Sequence, residues 1–240
     1  MKELAIYCAG GFGREVYCMI FNRIIPALIS GFEADNDCGI DKNTRFVGYF
    51  DDGVWNKYKE QKAIDEATIV PHEQYGQVLG GIEELNSWPT PLDVVIANGS
   101  PKWLKFISEH ITNKNISFPN VIDPTVRFAD RKTNQIGKGN IISFYSSLSC
   151  NSRIGNFNVL NSYIGLGHEV SIGDFNVFMP VVRISGDVSI GNENLFGSMS
   201  FVLQGIKIGN NIHLTPGSMM MMRPKDGSTY IGNPARRLKI

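Results

Sequence analysis

The stretch IGKGNIISFYSSLSCNSRIGNFNVLNSYIGLGHEVSIG, residues 136–173, holds two turns of a repeat that continues to Met220. Every sixth residue is apolar: Ile136, Ile142, Leu148, Ile154, Leu160, Leu166, Ile172, Phe178, Ile184, Ile190, Phe196, Val202, Ile208, Leu214 and Met220. A helical face repeats at three and four residues, so a strict period of six excludes a buried helix. Ile-Gly recurs at 136, 154, 172, 190 and 208, always 18 residues apart. Three six-residue sides therefore close one triangular coil, and about five coils stack into a parallel β-helix.

Two places before each apolar position stand small, β-branched or amide residues, among them Asn140, Ser146, Ser152, Asn158, Val170, Asn176, Val182, Asn194 and Ser200. Side chains alternate along a strand, so both positions point into the prism and the residue between them faces out. Asparagines stacked inside would satisfy one another's amides as ladders. Periodicity leaves the hand of the coil open, although parallel crossovers elsewhere are right-handed.

Upstream the pattern changes. Leu4–Tyr7 reads as a strand, Cys-Ala-Gly-Gly-Phe-Gly (8–13) as a turn, and Arg14–Phe21 as a helix. Arg45–Phe50 and Asp93–Ala97 read as further strands, ending in Asp51-Asp52 and Asn98-Gly99-Ser100-Pro101, and Trp103–Ile111 as a helix. Alternating strands and helices predict a small parallel α/β sheet of Rossmann-like type, with ligand loops at the carboxyl ends of its strands. Two prolines in ISFPNVIDP (116–124) mark the change of period. The expected domains are 1–118, binding a nucleotide-linked sugar, and 119–240, the β-helix.

Composition narrows the classes. The 240 residues carry 23 Lys+Arg against 23 Asp+Glu, so no global pull toward nucleic acid or an anionic membrane is expected. Cys8, Cys18, Cys38 and Cys150 lack the paired spacing of thiolate metal sites or disulfide scaffolds. No run approaches the roughly 18 apolar residues of a membrane span, and the start lacks a leader pattern. A cytoplasmic protein is expected.

Five motifs together resemble one family, the bacterial NeuD/PglD-like sugar acyltransferases. These are CAGGFG (8–13), where the family has GAGGHG, GYFDD (48–52), VVIANGSP (94–101), GHEVSIGDF (167–175) and IGNPARRLK (231–239). The resemblance spans nearly the whole chain. It implies a left-handed coil, a homotrimer packed through its prisms, acetyl-CoA in the groove between them, and a nucleotide-linked sugar on the amino-terminal domain. The implied activity is acetylation of that sugar's amino group, for bacterial surface glycans.

The resemblance makes His168 the general base, and an imidazole suits that role near neutral pH. Glu169 would orient the ring, which requires a bend, because consecutive strand residues point to opposite faces. Gly186 lies one coil beyond His168, about 4.8 Å along the stack. Its N–H would hold the thioester carbonyl and the oxyanion. Gly10, Gly11, Phe12 and Gly13 would let a phosphate approach backbone amides at a helix start. Asp51 and Asp52 would accept hydrogen bonds from a base or ribose, beside Asn98 and Gly99. Arg223, Lys225, Arg236 and Arg237 would meet CoA phosphates. No metal is required, and Cys150, with no histidine near it in sequence, is not expected to carry an acyl group.

The chain departs from the family at Val177, where many members have a second histidine, at Leu104, where they have arginine, and at the bulky Met219–Met222. Three other readings stand beside N-acetylation. They are O-acetylation of a sialic-acid-type sugar, a non-catalytic sugar-nucleotide binder, and a carbonic anhydrase, which would need three zinc-binding histidines where the repeats hold only His168 and His213. Tyr58 and Lys62 have a dehydrogenase spacing without a cofactor fingerprint.

Overall fold

The computed structural model describes residues 2–31, 39–67, 69–73 and 75–238; Cys38 and Lys239, both named above, lie outside them. The first strand, β1 (Glu3–Tyr7), is buried over its last four residues, as a strand covered on both faces must be. It turns through the glycines into α1 (Gly11–Met19), whose path continues through a π-helical turn (Ile20–Ile24) into Ile25–Ile29. There follow β2 (Arg45–Phe50), α2 (Asp52–Ile64), β3 (His72–Glu73), β4 (Gly76–Gly80), α3 (Ile82–Asn86), β5 (Leu92–Ile96), α4 (Pro101–His110) and β6 (Ile116–Ser117). The sheet order is β3-β4-β2-β1-β5-β6, parallel except for the β3–β4 hairpin. Strands β2 and β4 are added on one side of β1, and β5 and β6 on the other, so the order of winding reverses between the parallel neighbours β1 and β5 and opens a crevice at their carboxyl ends.

From Val121 onward the chain is a left-handed parallel β-helix of three faces, carrying eight, six and five strands. It starts one coil earlier than the sequence period suggests, because strands Val121–Ile122 and Arg127–Phe128 precede a 3-10 turn at Arg131–Thr133. That turn stretches the spacing from Phe128 to Ile136 and hides the first coil from a search at period six. The inward positions are dry: Ile142, Leu160, Phe178, Phe196 and Leu214 are fully buried. Phe178 and Phe196 stack with ring centres 4.6 Å apart.

The expected ladder is present. Asn120, Asn140, Asn158, Asn176 and Asn194 stand in a buried column, and from Asn140 on each amide donates to the side-chain oxygen of the one before at 2.8–3.2 Å. Each oxygen also accepts the backbone N–H of the next rung, and each amide reaches a glycine carbonyl, so no donor is stranded. The corners obey the same period. Residues 145, 151, 157, 163, 169, 175, 181, 187, 193, 199 and 211 are non-glycine residues with φ between 53° and 68°. Left-handed backbone costs about 1 kcal/mol or more per residue. It is offset by bonds between coils such as Glu169 N–H to the Cys150 carbonyl (2.9 Å) and Asp187 N–H to the His168 carbonyl (2.8 Å).

The first face differs from the other two on its outside. Its outward residues Val121, Ile141, Val159 and Val177 are buried in one core with the α/β layer, and Leu195 packs against that core. The other faces present Ser147, Arg153, Ser171, Arg183, Ser189 and Lys207. Burial of each such apolar side chain contributes about 1.5–3 kcal/mol, which ties the two layers together. Arg23 clamps Asp123 across the junction with two bonds (2.6 and 3.1 Å), and Lys105 pairs with Glu193 (2.7 Å). Burial alone would raise the Asp123 carboxyl; Arg23 and Thr125 overcome it and hold it below the usual carboxylate range.

Candidate functional site

The corner between the second and third faces carries His168. Strand Gly165–Leu166 ends, the backbone bends at Glu169 (φ 59°), and this bend brings the Glu169 carboxylate to 3.3 Å from His168 Nδ1. Both side chains are about half exposed. With Nδ1–H directed at Glu169, Nε2 is left as an acceptor. The ring lies over the next rung. A Cβ built on Gly186 would fall under 3.0 Å from Nε2, Cε1 and Cδ2. Among the described residues none accepts from the Gly186 N–H. The same holds for the N–H groups of Cys150 and His168 at equivalent corners, so Gly186 is distinguished by its missing side chain.

Gly167 belongs to this arrangement although its role was not read from sequence. A Cβ there would stand 2.5 Å from the Gly186 nitrogen and cover that donor. The signal was available, since Gly167 and Gly186 occupy adjoining coils. Cys150 requires a correction: coil stacking puts it in the same column as His168, one rung before it, whatever their distance in sequence. The imidazole leans the other way, onto Gly186. Beyond Gly186 the column continues to Gln204 and Met222, flanked by exposed Leu203 and Met221, and ends beside exposed Arg223 and Lys225. Met220 is the inward residue of that rung, so of the four methionines only Met221 and Met222 enlarge this corner. Arg236 and Arg237 are exposed on the antiparallel strand that closes the first face.

At the other candidate site the glycines divide in role. Gly13 is where α1 meets β1, since a Cβ would run into the Cys8 carbonyl, whereas Gly10, Gly11 and Gly99 have nothing within 4 Å of that position. Phe12 packs partly buried against the core. Cys8, where the resemblance expects glycine, takes a left-handed backbone (φ 81°). Its thiol accepts from Asn98 Nδ2 at 3.4 Å, and burial pushes its pKa up to about 11. Asn98 Oδ1 is engaged by Ser100 N–H (2.9 Å).

Asp51 and Asp52 hold the protein's own donors. Asp51 caps α2 through Val54 N–H (3.1 Å) and takes Ala9 N–H (2.9 Å) on its other oxygen. Asp52 accepts from Ile82 N–H (3.0 Å) and from the Tyr7 hydroxyl, whose pKa burial and this carboxylate both raise. The departures are also internal. Val177 lies in the core between the layers and Leu104 is buried within the α/β layer, so neither faces the His168 corner.

A cleft of about 690 Å³ runs between α1 and the corner joining the first and second faces, lined by Gly11, Arg14, Glu15, Ser143, Asn161 and Pro180 among others. His168 of the same chain is at a different corner. Among the described residues no cluster of three or more His, Cys, Asp or Glu is placed to hold a metal, and no helix is long and apolar enough to cross a membrane.

No family model matches the chain, and no curated protein matches it in sequence. Solved structures do. The acetyltransferase domain of PglB from Neisseria gonorrhoeae FA1090, in complex with acetyl coenzyme A, aligns with TM-score 0.75 at 20% identity, over 99% of this chain and 99% of that one. PerB from Caulobacter crescentus, in complex with CoA and GDP-perosamine, gives 0.74 at 17% identity over 100% and 98%. WeeI from Acinetobacter baumannii AYE gives 0.75 at 21% over 99% and 100%. Along its whole length the chain therefore shares the fold of these proteins, an α/β layer followed by a left-handed parallel β-helix.

Proposed function

We propose that the protein transfers an acetyl group from acetyl-CoA to an amino group of a nucleotide-linked sugar, in the cytoplasm, for bacterial surface glycan synthesis. The observation that carries this is the His168 corner, an exposed imidazole backed by a carboxylate at Nδ1, with Nε2 over a side-chain-free rung whose amide is open. The sugar nitrogen attacks the thioester carbon while Nε2 takes its proton. The oxyanion is held by the Gly186 N–H. Collapse breaks the carbon–sulfur bond, and the His168 proton neutralises the departing CoA thiolate. The column from Gly186 past Gln204 and Met222 offers a path for the pantetheine arm, ending at Arg223 and Lys225, and the exposed Arg236 and Arg237 at the same end of the prism are further candidates for the phosphates.

Residues 1–118 would hold the nucleotide and 119–240 the acyl donor. The open amides at Gly10 and Gly11 support a pyrophosphate there, with Gly99 at the crevice. A homotrimer is supported by the exposed apolar column Tyr145, Tyr163, Val181 and Met199, which runs along one corner of the prism. Packing on it would bring another copy's His168 toward the cleft. The free thiols Cys8, Cys18 and Cys150 suit a reducing compartment.

The test is acetyl-CoA turnover with a panel of nucleoside-diphosphate amino sugars. His168→Ala is expected to lower kcat by about a hundred- to ten-thousand-fold, with the circular dichroism spectrum unchanged. An undiminished rate in that variant removes the mechanism. Binding without turnover on any amino or hydroxyl sugar would make the protein a non-catalytic binder.

A further inference from the structure

The cleft between α1 and the first-to-second corner has a distinct charge pattern. Three charged side chains line it: Arg14, Glu15 and Arg23. Arg14 is paired with Glu73 at 3.1 Å, and Arg23 is committed to Asp123. Among the described residues no cation pairs with Glu15. Both positive charges are thus neutralised by the protein, and among the described residues the charge left unpaired at the cleft is negative.

The remaining lining suits a sugar ring. Ser143, which lines the cleft, is 7% exposed, and its hydroxyl has no hydrogen-bond partner among the described residues. Asn161 sits one coil on, its amide in contact only with the Met179 sulfur at 3.9 Å, which is too weak to satisfy it. Ser162 is its neighbour on the same corner. These groups both donate and accept, at a spacing of about 4.8 Å between rungs, while Phe144, Met19 and Pro180 offer apolar surface to the carbon–hydrogen face of a ring. Gly11 lies at the same cleft, where the open turn proposed for the pyrophosphate begins.

We infer that this cleft is the glycosyl subsite, and that Glu15 selects sugars carrying an amine and rejects sugars carrying a carboxylate; the inference rests on the nucleotide-sugar reading above. An ammonium group finds an unpaired carboxylate. A sugar acid finds no free cation and a like charge, and such repulsion is a common source of selectivity. The amine must still lose its proton to attack, so Glu15 acts on binding and shows in KM, while His168 governs kcat.

The experiment is equilibrium binding to the full chain by calorimetry, without acyl donor. The probes are nucleoside-diphosphate-linked 4-amino-4,6-dideoxyhexose, hexose and hexuronic acid, each in the uridine and guanosine series. The expected order is amine, then hydroxyl, then carboxylate, with about tenfold between steps at low salt and less at high salt. Glu15→Gln should collapse that order, weakening the amine and strengthening the acid, whereas Ser143→Ala should weaken all three alike. Equal affinities, preference for the acid, binding of none of the probes, or an order unchanged in Glu15→Gln would overturn the proposal. His168-dependent acetylation of a sugar acid would overturn this selectivity and leave the acetyltransferase reading intact; ordered binding without turnover would do the reverse.

Discussion

The asparagine ladder of the β-helix and the Asp51-Asp52 pair of the α/β layer solve the same problem by different means. Both withdraw from water, fully in the ladder and partly at the aspartates, hydrogen-bonding side chains that would destabilise the fold if left unpaired. From Asn140 on, the ladder's partners are supplied by the repeat, the next asparagine 18 residues away and a glycine carbonyl 15 residues away, so one coil repeats the solution of the last. At Asp51 and Asp52 the partners are Ala9, Val54, Tyr7 and Ile82, each met once and set by the tertiary fold. A polar group in a periodic setting announces its partner in the sequence; one in an aperiodic setting does not.

The largest expected effect falls on the ladder. Asn176→Ala removes the acceptor used by both nitrogens of Asn194 and strands the Gly191 carbonyl, inside a fully buried column. At about 1–3 kcal/mol per buried orphan, the loss in stability should reach roughly 3–5 kcal/mol in urea unfolding. A loss below 1 kcal/mol would mean that the stacked apolar rungs, and not the ladder, hold the coils in register.

The junction between the two regions comes next. The Asp123 carboxyl is held below its ordinary value, so its contribution is complete above the unfolded value near about 3.9 and disappears as pH falls through the lower folded value. Thermal stability should therefore drop on acidification in that range, and Asp123→Asn should flatten the drop. Asp123→Ala at neutral pH should cost about 2 kcal/mol, less than a fully buried pair because Arg23 remains partly in water.

Asp51→Ala tests the aperiodic side directly. Loss of the α2 cap and of the Ala9 tie should cost about 1–2 kcal/mol in unfolding experiments without any nucleotide present. Unchanged stability together with weaker nucleotide binding would return Asp51 to the ligand-binding role that its position at a strand end suggested.

The same contrast explains what could be read in advance. The prism, its interior positions, the ladder and the adjacency of His168 to Gly186 all follow from a repeat of 18, because register converts sequence distance into spatial distance. The first coil was missed where the turn at Arg131–Thr133 broke the count. Strand and helix positions in the α/β layer were legible from apolar runs, but the commitments of Asp51 and Asp52 were not. Nor was the burial of Val177 against that layer, because period six does not say which face another layer covers. The bend that Glu169 needed to reach His168 was also periodic, one of eleven such corners, and could have been inferred from the repeat had the left-handed positions been counted with the inward ones.

The last and smallest test concerns Cys8, which among the described residues is the non-glycine residue at positive φ outside the coils. Cys8 holds φ 81° where the resemblance expects glycine, and its conformation is supported by the Asn98 contact and by burial instead of by a neighbouring coil. Cys8→Gly should relieve about 1 kcal/mol of left-handed strain and lose a similar amount from the thiol's packing and the greater freedom of the unfolded chain. The net change should lie within about 1 kcal/mol. The thiol itself reports the setting. With its pKa raised to about 11, Cys8 should react with a disulfide reagent at pH 8 far more slowly than Cys18 or Cys150. Mass mapping of the first thiol labelled distinguishes the cases, because early modification of Cys8 would mean that the turn opens often enough to expose it, and that the aperiodic half is held less firmly than the coils it rests on.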